Sequence, residues 1–386
     1  MIFPLNFSEI NGIFQKMVLY FIESIRIRGC FAVLKRSQWD GKHPCVFQES
    51  GTMSLLKVEN LSVGFRRGSE VLPVINGVSF EIERGEILAL VGESGCGKSA
   101  GCLALTRLNA GQALIEADSA LFEKRSGEKV ELFSLSAKEL RKIRGGGIAY
   151  IFQEPLSSLN PVFRIGDQIA EVLSLHRSGI KDPFAEVERL LASVGIPDPR
   201  ARMKNFPHEL SGGMQQRVMI AMALAGNPDL LIADEPTTAL DVTIQAQIIE
   251  LMEQLRRENG TSIILITHNF GVVAQLADRV AVMYAGRIVE SAPVAELISA
   301  PRHPYTKALL AAVPVLGGEG QKLVTIPGQV PSPENFPAGC RFCTRCQECT
   351  GELEKVCVAK VPVNVEVSPG HKVGCWKFAE TLPECR

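Results

Sequence analysis

The sequence predicts an α/β fold with a mixed, largely parallel sheet at its core, a helical subdomain, and a small cysteine-rich C-terminal extension. Three observations carry this expectation. From about residue 55 to 290, short runs apolar at every position alternate with longer helical stretches, as strands buried on both faces and covered by helices require. From about residue 155 to 225 the pattern is more helical, punctuated by Pro155, Pro161, Pro197, Pro199 and Pro207. After Pro301 the chain turns proline-rich as far as Pro337, then cysteine-rich.

In chain order, residues 1–52 hold a short apolar patch, Met17-Val18-Leu19-Tyr20-Phe21-Ile22, interrupted by Glu23. No basic leader followed by a small-residue cleavage site is seen there, so a secretory signal is not expected. A strand-like alternation begins at Met53-Ser54-Leu55-Leu56-Lys57-Val58. Met53 is therefore the expected functional start, with residues 1–52 a disordered tail or a stretch upstream of the true start. Ile87-Leu88-Ala89-Leu90-Val91, Ile148-Ala149-Tyr150-Ile151-Phe152, Leu230-Leu231-Ile232-Ala233 and Ile263-Ile264-Leu265-Ile266 are the runs assigned to buried parallel strands.

Bulk properties narrow the function classes. The 386 residues are 46% hydrophobic and 22% charged with net charge −1, a soluble globular composition that argues against an electrostatic nucleic-acid binder. No apolar run reaches the roughly 18 residues that span a bilayer, so any work at a membrane must borrow its contact from a partner. Seven of the eleven cysteines lie between Cys340 and Cys385. With the cell interior as the expected compartment, such a cluster reads as metal binding before disulfides.

Gly92-Glu93-Ser94-Gly95-Cys96-Gly97-Lys98-Ser99 fits the loop that wraps a nucleotide triphosphate. A strand ends at Val91 and a helix should begin near Lys98, so backbone N–H groups and the helix N-terminus face the phosphates. Lys98 supplies a point charge for the β- and γ-phosphates, and Ser99 a hydroxyl ligand for Mg²⁺. The run Leu230–Ala233 ends in Asp234-Glu235. Asp234 suits the acidic partner of Mg²⁺ and Glu235 the group that polarises the attacking water.

A second segment, Leu210-Ser211-Gly212-Gly213-Met214-Gln215-Gln216-Arg217, resembles the signature of the ABC ATPases, a group of P-loop NTPases. The resemblance runs from residue 54 to about 310 with the motifs in order. It implies that Phe65 stacks on adenine, that Gln153 occupies the Q-loop sensing Mg²⁺ and the transmembrane partner, and that Ser211, Gly212 and Gly213 are the signature serine and glycines. It further implies that Asp241 belongs to the loop crossing a dimer interface and that His268 is the switch histidine at the γ-phosphate. Asn269 departs from the family's usual aspartate beside that histidine. In the family the signature closes on ATP held by a second ATPase subunit, in a head-to-tail dimer. One glycine loop and one signature per chain then imply a second copy or a paralogue.

Asn205–Leu210, Thr237–Gln247, Arg279–Arg287 and His303-Pro304-Tyr305-Thr306-Lys307 are most similar to the oligopeptide/dipeptide/nickel importer subfamily. The resemblance implies residues 53–300 as ATPase domain, with its helical subdomain at about 155–225, and 301–386 as that subfamily's extension. Within the extension it implies a four-cysteine iron–sulfur site at Cys340, Cys346, Cys357 and Cys375, with zinc as the second choice. Cys343 and Cys349 are additions to that pattern, giving C-x2-C-x2-C-x2-C. Function follows as an expectation: a peripheral ATPase on the cytoplasmic face of the cell membrane, docked on two integral-membrane permeases and served by an extracytoplasmic substrate-binding protein. The alternative, a soluble ABC ATPase acting on ribosomes or nucleic acid, lacks the fused second ATPase unit or long coiled coil that such proteins carry. An exporter is disfavoured by the extension.

Overall fold

A computed structural model describes residues 54–313 and 325–380, save 110, 112, 239 and 240. The expected tail, residues 1–52, and the start at Met53 lie outside the described residues, as does Cys385. The chain opens with two 14-residue strands, β1 (Ser54–Arg67) and β2 (Glu70–Glu83), then β3 (Ile87–Val91) and helix α1 (Lys98–Ala104). Strands β4 (Ala113–Glu116), β5 (Ser119–Glu123) and β6 (Lys129–Glu131) follow, then α2 (Ala137–Ile143) and β7 (Ile148–Ile151). Three longer helices come next: α3 (Ile165–His176), α4 (Pro183–Ser193) and α5 (Gly212–Ala225).

The second half alternates again. It runs β8 (Leu230–Asp234), α6 (Val242–Asn259), β9 (Ser262–Ile266), α7 (Phe270–Leu276), β10 (Arg279–Tyr284) and β11 (Arg287–Pro293). Helices α8 (Val294–Ser299) and α9 (Pro304–Ala311) lead into the extension, where α10 (Glu352–Ala359), β12 (Val365–Ser368) and β13 (His371–Val373) are formed.

The main sheet has eight strands in the order β12-β13-β11-β10-β3-β9-β8-β7. Pairings from β10 through β7 are parallel, and those at β11, β12 and β13 antiparallel. The sheet is mixed and largely parallel, as expected. Its apolar runs are explained by burial on both faces, because successive side chains of a strand point to opposite sides. Leu88 and Leu90 of β3 pack into the core beneath an antiparallel sheet of β1, β2, β4, β5 and β6. Ala89 and Val91 pack with Val280, Val282, Tyr305 and Phe342 on the opposite face. Ile151, Ala233 and Leu265 join the helices α3, α4 and α5 in a third core. Each fully buried Leu or Ile here contributes roughly 1.5–3 kcal/mol relative to exposure.

Prolines in the helical region sit where a helix tolerates them. Pro183 opens α4, and Asp182 caps it by accepting from the amides of Phe184 and Ala185, both at 3.1 Å. The extension is joined to the main sheet by β13, which pairs with β11. Behind that seam the buried His371 lies 2.7 Å from a carboxylate oxygen of Glu290 and 3.0 Å from one of Glu296. Glu290 also accepts from the amides of Arg302 (2.7 Å) and His303 (2.9 Å), which fixes the entry to α9.

Candidate active site

β3 delivers the glycine loop to α1, and two of its glycines are dictated by geometry. A Cβ on Gly92 (φ +154°) would lie 2.2 Å from the Met283 carbonyl oxygen, and one on Gly97 (φ +101°) 2.5 Å from the tip of Ile75. Only glycine lets the loop pass that close to β10 at Gly92 and to β2 at Gly97. Lys98 is buried, and its ammonium donates to the carbonyls of Gly92 (2.8 Å) and Glu93 (3.1 Å). The same loop that would cradle phosphates thus aims the lysine. Cys96 is fully buried; burial pushes its thiol up while Lys98 pulls against it.

Loop, strand ends and Q-segment converge on one cavity of about 660 Å³. Ser94, Gly95, Gly97, Lys98, Ser99, Gln153, Asp234, Glu235 and His268 line it, with Val74. Burial raises the Asp234 carboxyl above its ordinary value, and the hydrogen bond from Ser99 and the charge of Lys98 pull it back down. A hydroxyl bonded to a part-buried carboxylate, with the Gln153 amide alongside, is a hard oxygen donor set of the kind Mg²⁺ takes. The residues therefore fit the ion.

Glu235 is the node of the site. It follows the last residue of β8 and has left-handed backbone, φ +45°, a conformation that costs a non-glycine residue about 1–3 kcal/mol. The turn is held by its amide bonding the Ile266 carbonyl at 2.9 Å. Its carboxylate meets His268 Nδ1 at 3.0 Å and accepts from Thr238 Oγ1 at 2.8 Å and Gln153 Nε2 at 3.3 Å. Burial alone would raise this carboxyl, but the bonds from Thr238 and His268 outweigh it and hold the group below its ordinary value. The result is an ionised carboxylate at neutral pH, oriented from three sides.

The signature lies elsewhere. Ser211 caps α5, its hydroxyl accepting from the Met214 amide at 3.4 Å. Asp241 caps α6, accepting from the Ile244 amide at 3.0 Å. Ser211, Gly212, Gly213 and Asp241 line a second cavity of about 470 Å³ with Met214 and Arg217. Its lining shares no residue with the first. Phe65 is not among the residues lining the first cavity: it is half-buried on β1, opposite Leu72 of the strand that carries Val74, and packs against the core under the antiparallel sheet. Asn269 caps α7, accepting from the Gly271 amide at 2.9 Å, a local role that needs no phosphate.

Several contributors escape a reading of the sequence. Thr238 orients Glu235, and the buried Gln216 donates to the Pro236 carbonyl at 2.9 Å, tying α5 to the turn after Glu235. Gln216 lies inside the LSGGMQQR string, so the signal was its burial partner rather than its identity. Arg345 of the extension reaches Glu93 of the glycine loop.

Among the described residues no group of three or more His, Cys, Asp or Glu side chains is placed to hold a metal ion. The expected set Cys340, Cys346, Cys357 and Cys375 is thus not drawn into a cage. Cys343 and Cys357 pack instead with Trp376, Cys340 and Cys349 in a small apolar cluster. Burial, reinforced by neighbouring thiols, pushes Cys340 up to about 12 and Cys346 up to about 11. In the metal-free chain these groups are therefore protonated thiols at neutral pH.

Residues 75–238 match the family described as ABC transporter, and residues 289–352 match the oligopeptide/dipeptide transporter C-terminal region. The chain is 47% identical over 330 residues to the oligopeptide transport ATP-binding protein AppD of Bacillus subtilis, covering 85% of this chain and 98% of that one. It is 52% identical over 267 residues to the glutathione import ATP-binding protein GsiA of Shigella sonnei, covering 68% of this chain and 43% of that longer protein. Among solved structures, the dimeric post-hydrolysis state of the ATP-binding cassette MJ0796 bound to ADP and Pi superposes with a TM-score of 0.54 at 26% identity. That match covers 62% of this chain and 98% of the other.

Proposed function

The chain belongs to the ABC transporter ATPases, and from that premise we propose that it is the ATP-hydrolysing, energy-coupling subunit of an importer for di- or oligopeptides. AppD and GsiA, by name, serve oligopeptide and glutathione import; these relatives favour peptides over nickel as the cargo. The soluble reading, on ribosomes or nucleic acid, has no support in those relatives. Among the described residues no helix is long and apolar enough to cross a membrane. The subunit would work peripherally, on the cytoplasmic face of the membrane. Its partners would be a second ATPase subunit, two integral-membrane permeases and, indirectly, an extracytoplasmic binding protein.

The observation that carries this reading is the separation of the two cavities. One holds the glycine loop with Asp234, Glu235 and His268, and the other holds Ser211, Gly212, Gly213 and Asp241. Phosphate-binding devices pointing into different cavities need a second subunit to meet on one nucleotide. In the first cavity Lys98 and the loop amides would bind the triphosphate, and Ser99, Asp234 and Gln153 would hold Mg²⁺. The ion supplies charge neutralisation on the phosphates. Glu235, kept ionised, would accept a hydrogen bond from the attacking water and set its line of approach, while Gln153 and Thr238 hold the carboxylate still. His268 would stabilise charge on the transferred phosphoryl.

The test is Glu235→Gln in the full chain. ATP binding is expected to persist while turnover falls by about 100-fold or more. Undiminished hydrolysis would remove Glu235 from this role.

A further inference from the structure

Arg345 stands in a short turn of the extension, far in sequence from the glycine loop and in direct contact with it. Its Nη1 lies 3.1 Å from each carboxylate oxygen of Glu93 and donates to the Tyr284 hydroxyl at 3.3 Å. The remaining nitrogens donate to the carbonyls of Pro327 (2.8 Å), Gly328 (3.3 Å) and Ile326 (3.4 Å). All three guanidinium nitrogens are thus engaged, and the side chain is only 5% exposed. A planar, pre-organised fork is the group that can satisfy so many acceptors at once.

Glu93 is gripped at three points. Its carboxylate is held by Arg345, its amide donates to the Tyr305 hydroxyl of α9 at 2.9 Å, and its carbonyl accepts from the Lys98 ammonium at 3.1 Å. A continuous path therefore runs from the extension through one residue to the lysine aimed at the phosphates. A second brace lies beside it: Arg341 donates to the Ala285 carbonyl, and the next amide, Gly286, donates to the Cys96 carbonyl within the loop at 2.8 Å.

We propose that Arg345 is a positioning residue for ATP binding, acting through Glu93 to hold the glycine loop and Lys98 in their phosphate-accepting geometry. The extension is then a working part of the nucleotide site rather than an appendage, and nucleotide affinity depends on how it is docked. This rests on the ATP reading of the cavity. A purely structural role for Arg345 would be to hold the extension down; loss of the Glu93 carboxylate would then lower stability and leave nucleotide affinity unchanged.

The discriminating experiment is a double-mutant cycle on the full chain, reading equilibrium binding of mant-ATP. Arg345→Met and Glu93→Gln are each expected to weaken binding by about 10-fold, with the double variant no more than about 2-fold weaker than either single change. Arg345→Lys, which can pair with Glu93 but not fill the other acceptors, should recover part of the loss. In the assembled transporter the change should fall on KM for ATP, with kcat nearly unaltered, because Gln153, Glu235 and His268 are untouched. Unchanged affinity in Glu93→Gln, or losses that multiply in the double variant, would overturn the proposal. Should Arg345→Met fail to fold, Glu93→Gln and Arg345→Lys decide the matter, and both must weaken binding. Failure of the wild-type chain to bind mant-ATP would count against the ATP reading itself, whereas normal wild-type binding with unaffected variants sinks this inference alone.

Discussion

At Glu235 three neighbours converge on one carboxylate, and at Gly92 a backbone carbonyl occupies the space where any side chain would begin. Both are single positions where the fold leaves little choice. Gly92→Ala should drive a methyl group into the Met283 carbonyl, costing about 1–3 kcal/mol and displacing the carbonyl that aims Lys98. The expected outcome is a lower thermal midpoint together with lost mant-ATP binding; an alanine variant that binds normally would mean the loop is not held against β10. Residues of this kind were legible in the sequence where they fall in short contiguous strings, as Lys98-Ser99 and Asp234-Glu235 do. Thr238, Gln216 and Arg345 were not, because each is an ordinary residue type whose role comes from a partner in space.

Elements tell a similar story. The parallel strands could be read because burial on both faces leaves an uninterrupted apolar run, as in β3 and β9. The antiparallel sheet was harder, since one face is exposed and β2 carries Pro73 and Gly77 within its length. The seam between α9 and the main sheet depends on His303, which is buried and accepts from the Tyr305 amide at 3.0 Å through a ring nitrogen that must be unprotonated. Burial holds His303 down to about 3 against an ordinary 6.5. In the unfolded chain this histidine takes up a proton as pH falls through 6.5, and in the folded chain it does not. Its contribution is therefore complete above that pH and declines as pH falls toward 3. His303→Asn keeps a neutral capping group without the titration. From pH 7 to 5 the wild-type thermal midpoint should fall more steeply than that of the variant; parallel slopes would show that His303 does not set the acid sensitivity of the seam.

Over the whole molecule, the arrangement is two cavities facing two different tasks. The glycine loop, braced by Arg345 of the extension, shares one cavity with Asp234, Glu235 and His268, while the signature lines a separate cavity with Asp241. The sequence alone named both motifs; that their linings share no residue became clear only from the fold. For the cysteines, spacing suggested ligands, and packing gives a small apolar cluster; among the described residues no group of three or more His, Cys, Asp or Glu is placed to hold a metal ion. The direct measurement is mant-ATP binding to the isolated full-length chain, compared with ATP turnover in the assembled importer, for Lys98→Ala and Ser211→Arg. Lys98→Ala should abolish binding, whereas Ser211→Arg should leave the affinity within about 2-fold of wild type and still suppress turnover by about 100-fold or more. If Ser211→Arg weakens binding as severely as Lys98→Ala does, the two motifs serve one pocket in the same chain, and the account of separate half-sites is wrong.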